Sequence, residues 1–128
     1  MNKSFLLKIP AIVFAIVIFV LSQIPGEVLP PNVFDLQDKL EHFVVYFLFG
    51  ITLIIATSTV KFKRKRIFLV LIIGSIYALL DEIHQLFVPG RVCDITDFVA
   101  DALGVVFSLL FVNVILKLIN RFIPEDTI

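Results

Sequence analysis

Apolar residues fall along this chain in four long runs separated by short polar breaks, and the run lengths predict helices that cross a bilayer. The first run is Ile9 to Ile24, preceded by Lys3 and Lys8 and stopped by Pro25-Gly26. The second goes from Leu40 to Val60. The third starts at Ile67, is apolar or small to Leu80, turns into Asp81-Glu82-Ile83-His84-Gln85 and ends at Pro89-Gly90. The fourth starts near Asp97 and runs to about Ile119, with Pro124 beyond it. With their flanks, these runs predict spans over roughly 5–24, 40–60, 67–88 and 97–119. The fold class is all-α: one domain, 1–128, built as an integral-membrane bundle of four transmembrane helices. The basic start of the first run resembles a secretory signal, but Ser22-Gln23-Ile24 lacks the small-x-small cleavage pattern. It reads as a retained anchor.

A helix needs ~20 residues, at ~1.5 Å each, to cross a ~30 Å hydrocarbon core. Ile67 to Leu80 covers only about 21 Å by that rise, so the third span needs Asp81 to Gln85 to complete its crossing. The fourth has the same shortfall, because its unbroken apolar part begins only after Asp101. Polar residues therefore belong inside the outer part of the membrane. Helical spacing puts Gly74, Tyr77, Ala78, Asp81 and Gln85 on one stripe, and Asp97, Asp101, Gly104 and Ser108 on another. In the second span His42, Tyr46 and Gly50 share a face, with Asp38 and Lys39 at its end. Each of these faces runs from small residues to polar ones. They are expected to meet, since a charge left in lipid costs ~2.5–3.5 kcal/mol at the bilayer centre.

Composition strengthens the membrane reading. The chain is 59% hydrophobic with a mean hydropathy of +1.05, against ~45–50% apolar content in soluble domains. A net charge of zero argues against a nucleic-acid partner. Cys93 is the only cysteine, so no internal disulfide can form. The placement of charge says more than its sum. Of the eleven lysines and arginines, all but Lys39 and Arg91 lie at one end of the spans. Positive charge stays cytoplasmic, which predicts both termini and the Lys61–Arg66 loop inside the cell. Acids do the reverse, with only Glu125 and Asp126 on the inner side. The expected location is the cell membrane, multi-pass, with both termini cytoplasmic.

The candidate chemistry gathers at the outer end. Asp81, Glu82, Asp97 and Asp101 need partners, protonation or water there, and the cations available are Lys39, Arg91, His42 and His84. The Pro89-Gly90 turn is expected to aim Arg91 at the acids. An extracytoplasmic pocket richer in acid than base is predicted, with the binding set Asp38, Lys39, His42, Tyr46, Asp81, Glu82, His84, Gln85, Arg91, Asp97 and Asp101. Asp81, Glu82 and His42 are the candidates for acid–base catalysis. The plainer reading of the same residues is a polar cluster that holds helices together, with Asp38 and Lys39 capping and solvating one of them. The chain has no His-Glu-x-x-His spacing, its histidines sit on different spans, and it has no phosphate-binding glycine loop. Neither metal nor cofactor is expected. Ser22 and Ser108 have no neighbouring histidine, so a nucleophile motif is also missing.

The outer-end segments carry a family resemblance. Leu21-Ser22-Gln23-Ile24-Pro25 closes the first span, and Asp38-Lys39-x-x-His42-x-x-x-Tyr46 opens the second. Asp81-Glu82-Ile83-His84-Gln85-Leu86-Phe87-Val88-Pro89-Gly90-Arg91 closes the third, and Asp97-x-x-x-Asp101-x-x-Gly104 opens the fourth. Their order, spacing and placement resemble the VanZ-like family over nearly the whole chain. Asp101 is a departure, standing where that family commonly has asparagine. The resemblance implies a bacterial membrane protein of the cell envelope, in a family whose name comes from a protein linked to resistance against the lipoglycopeptide teicoplanin. The leading expectation is a protein that binds or modulates an envelope lipid or lipoglycopeptide at the headgroup level. An enzyme using acid–base chemistry on a lipid-linked envelope intermediate stays open, as does a structural or partner-binding module. Small-residue faces also suit a homo-oligomer.

Overall fold

The computed structural model describes residues 2–122, so the expectations placed on Pro124, Glu125 and Asp126 lie outside the described residues. Four helices are long and apolar enough to cross a membrane: α1 Ser4–Ser22, α2 Gln37–Ala56, α3 Lys63–Gln85 and α4 Ile95–Phe122. No strand forms among the described residues. The bounds differ from the sequence expectation by a few residues at each end. α3 takes the basic residues from Lys63 into its first turn and has 23 residues, about 34 Å of helix. The crossing is thereby completed from both ends.

Local irregularities have local causes. Pro10 has no N–H to give to Leu6, and regular helix pairing in α1 lapses between Leu6 and Ile9. In α4 the winding tightens to a 3₁₀ turn over Leu109–Phe111 before resuming. Where α2 ends, Arg66 reaches back from α3. Its Nε donates to the Thr57 carbonyl and its Nη2 to those of Ser58 and Val60, with the first two bonds at 3.1 Å. A buried guanidinium thus adds donors to the carbonyls that follow the end of α2, where the Thr57 carbonyl also accepts the Val60 amide at 2.9 Å. One residue of the basic cluster is a clamp between two helices as well as a charge.

α2 is the central helix, touching the other three and packing most extensively on α4. Glycines allow that closeness. A Cβ on Gly104 would meet the α2 backbone, including the Phe47 nitrogen at 2.8 Å. One on Gly50 would meet the Ser108 side chain, and one on Gly74 would meet Val105 at 2.7 Å. The small-residue faces therefore meet one another within a single chain. Tyr46, Phe49, Ile54, Val70, Ala78 and Val105 fill the core between them. Tyr77 ties α3 to α1 by donating its hydroxyl to the Ala15 carbonyl at 2.6 Å. Large apolar side chains cover the outside, among them Ile16, Ile76 and Leu110, each at least half exposed. That inside-out pattern matches a protein whose solvent is lipid.

Candidate functional site

The site is assembled at the end of the bundle where α1 and α3 finish and α2 and α4 begin. Two helices build its frame by register. On α2, Lys39 and His42 stand one turn apart, and on α4, Asp97 and Asp101 do the same. Lys39 Nζ donates to Asp97, to Asp94 at 2.9 Å and to Asp38 at 3.3 Å. One turn deeper, His42 Nδ1 lies 2.9 Å from Asp101 Oδ1, and His42 Nε2 is 3.9 Å from Asp97. Gly104 follows at the next contact, where the backbones nearly touch. The charge ladder and the glycine contact are one interface.

α3 contributes Asp81 and Glu82. The Asp81 carboxylate accepts the Ser22 hydroxyl from α1, with both residues buried. Glu82 is 1% exposed and accepts the Asp94 amide at 2.9 Å through Oε2. Asp94 is the N-cap of α4. Its Oδ1 accepts the amide and hydroxyl of Thr96, both at 2.8 Å, and its Oδ2 faces Lys39. Asp94 lies outside the spans. The Lys39 ammonium, with the Thr96 donors, holds its carboxyl down at about 2.

Two loops complete the rim. The Gly26 amide donates to the Pro89 carbonyl at 3.0 Å, and a Cβ on Gly26 would strike the Gly90 carbonyl. Gly90 has φ 71°, a left-handed conformation that glycine adopts without strain. Crossing the loops at two glycines sets Arg91 beside the opening of a cleft of about 210 Å³. One wall of this cleft is apolar, with Ile18, Leu21, Ile24 and Leu29. The other carries Asp38, His42, Tyr46, Asp81, Gln85 and Arg91. A neighbouring cavity shares His42, Gln85 and Arg91 and extends to Asp94 and Asp97.

Most residues of the sequence-derived set converge here, and two differ from expectation. His84 packs its ring on Phe19, with centroids 4.9 Å apart, so it faces α1 and not the cluster around His42. Arg91 forms no ion pair among the described residues. Lys39 takes the acids, and the buried Arg91 Nε has no partner. The sequence reading also missed Ser22 and Asp94 as members. Asp94 was legible in principle, since Asp is a preferred N-cap and stands directly before the helix that opens at Ile95. Ser22 stood within the segment that closes the first span, but its bond to Asp81 was not legible, because the two lie 59 residues apart.

Several buried polar atoms at this end have no hydrogen-bond partner: Tyr46 Oη, Glu82 Oε1, Asp101 Oδ2 and Arg91 Nε. Buried polar groups are rarely left so. The VanZ/LLP1 family model matches residues 9–117, most of the chain. The chain belongs to the VanZ/LLP1 family. No curated protein and no solved structure matches. For this VanZ/LLP1 member, the match spans every helix that frames the cleft, and with the four helices it identifies a multi-pass membrane protein.

Proposed function

We propose that this VanZ/LLP1 protein binds an envelope amphiphile in the cleft beside Arg91, with the cleft opening on the extracytoplasmic face and both termini in the cytoplasm. The orientation rests on the excess of lysine and arginine at the opposite end. The ligand class rests on Arg91. Arg91 lines the cleft, pairs with no carboxylate among the described residues and has an unpartnered Nε, while Lys39 is held by three acids. A free arginine next to an apolar wall suits a phosphate or carboxylate headgroup with its acyl chain along Leu21 and Leu29. Asp38 and Asp81 then accept from the amine or sugar hydroxyls that flank such a centre.

A lipid-tailed glycopeptide works at the same depth, which links this reading to the family's name. The test is susceptibility to teicoplanin, with vancomycin alongside, in a sensitive Gram-positive host. Wild type, Asp81→Asn and Arg91→Ala are compared at equal membrane levels. The proposal expects a shift for the lipidated drug only, lost in both variants. An equal shift for both drugs, or one that survives Arg91→Ala, counts against a lipid-directed cleft.

A second reading has its own observation. His42 is oriented by Asp101 through Nδ1 and lines the cleft, an arrangement that suits general acid–base chemistry on a lipid-linked intermediate. Turnover of such a precursor by purified protein, abolished by His42→Gln, would favour it. A lack of turnover with and without divalent metal would remove it.

A further inference from the structure

Behind His42, three acidic and imidazole groups from three different helices point at one another. His42 on α2, Glu82 on α3 and Asp101 on α4 each offer a ligand atom, and all three atoms lie within 4.8 Å of one another. A second acidic group, Asp38, His42 and Asp97, is equally close. That group already has its cation, because the Lys39 ammonium bonds both carboxylates. No lysine or arginine among the described residues pairs with the deeper group, and its one charge partner is the His42 imidazole against Asp101 Oδ1. Glu82 is 1% and Asp101 0% exposed, and each keeps one buried oxygen, Oε1 and Oδ2, without any partner.

Glu82 Oε1 and Asp101 Oδ2 face no donor, and a buried carboxylate needs a counter-charge or a proton. Hydrogen bonding accounts for only half of each group. Glu82 Oε2 takes the Asp94 amide and Asp101 Oδ1 takes the His42 ring. The unused oxygens beside an imidazole form a mixed N/O donor set. Calcium and magnesium favour all-oxygen sites, whereas one imidazole with carboxylates suits zinc, manganese or iron(II).

We propose that His42, Glu82 and Asp101 hold one divalent transition-metal ion at the base of the cleft. His42 is the one member of the trio that lines both cavities, so it links the site to the cleft. Such a centre offsets the charges of Glu82 and Asp101 and places a Lewis acid within reach of whatever occupies the cleft. The inference stands apart from the lipid reading. A metal can bind here with no lipid ligand, and Arg91 can bind a headgroup with no metal.

The test uses the full-length protein in nanodiscs, stripped with chelator and titrated with Mn²⁺ and Zn²⁺. Wild type is expected to take up one equivalent, with affinity lowered ~10-fold or more in Glu82→Gln and in Asp101→Asn. Asp38→Asn is expected to bind as wild type, which separates this trio from the Lys39 group. Pulsed EPR of Mn²⁺-loaded wild type needs no variant and is expected to show coupling to an imidazole nitrogen. Binding that is equal in wild type and in the Glu82→Gln, Asp101→Asn double variant would overturn the proposal. So would bound manganese with no nitrogen coupling, even where the variants fail to fold.

Discussion

Lys39 and Arg91 have like charge and stand at the same end of the bundle, yet their surroundings give them different work. Lys39 bonds three carboxylates, one of them on the buried Asp97. Lys39→Ala leaves that acid without a donor and is expected to cost about 1–3 kcal/mol. Arg91 bonds none among the described residues, so Arg91→Ala should change stability by under ~0.5 kcal/mol while removing the proposed ligand binding. Thermal unfolding of both variants in one detergent checks the contrast, and equal destabilisation would contradict it. The Asp94 carboxyl adds a pH signature. Its acidity is raised in the fold, down to about 2 from 3.8, so its contribution is complete above pH ~4. It fades as pH falls toward 2. The stability difference between wild type and Asp94→Asn should therefore be flat from pH 5 to 8, and a slope in that range would show that another group titrates with it.

At the scale of helices, small residues decide how the bundle closes. Gly104 lets the backbone of α4 rest on that of α2 between Phe43 and Phe47. Gly104→Ala adds a Cβ against atoms that cannot rotate away, and overpacking of this kind costs ~1–3 kcal/mol. It should also slip His42 out of register with Asp101, which an infrared or NMR signature of the histidine would reveal. An unchanged melting temperature and an unchanged His42 signal would count against the shared-interface account. Much of this was legible in the sequence. Helical spacing alone put Asp97, Asp101, Gly104 and Ser108 on one face, and all four are buried. The loops were not legible, because the Gly26–Pro89 bond joins segments 63 residues apart and no local pattern encodes it. Arg91 and His84 were misread for a related reason. Turn and helix signals say where a side chain starts, while its partner depends on which neighbour arrives first, Lys39 in one case and Phe19 in the other. His42, Glu82 and Asp101 were all expected in one pocket, but their convergence within 4.8 Å was not legible, since they come from three helices with no fixed spacing between them.

Across the whole molecule, charge and apolarity run on different axes. Apolar side chains face outward around the bundle, acids gather at one end and basic residues at the other. The proposed topology follows from that polarity, with the Lys61–Arg66 segment and both ends in the cytoplasm. Cysteine labelling from outside the cell should reach an engineered Asn32→Cys in a Cys93→Ser background and miss Lys63→Cys. The reverse pattern would invert the protein and place the cleft on the wrong side for an envelope ligand.

In the proposed function a headgroup sits at Arg91 with its tail along the apolar side of the cleft. A photoactivatable analogue of an anionic envelope lipid, added to protein in nanodiscs and followed by peptide mass spectrometry, tests this directly. The account predicts crosslinks at Leu21, Leu29 or Gln85 in wild type that fall several-fold in Arg91→Ala, with the lipid-facing helix surfaces labelled equally in both. Crosslinks spread around the outer helix faces, with no enrichment in the cleft and no effect of Arg91→Ala, would contradict it.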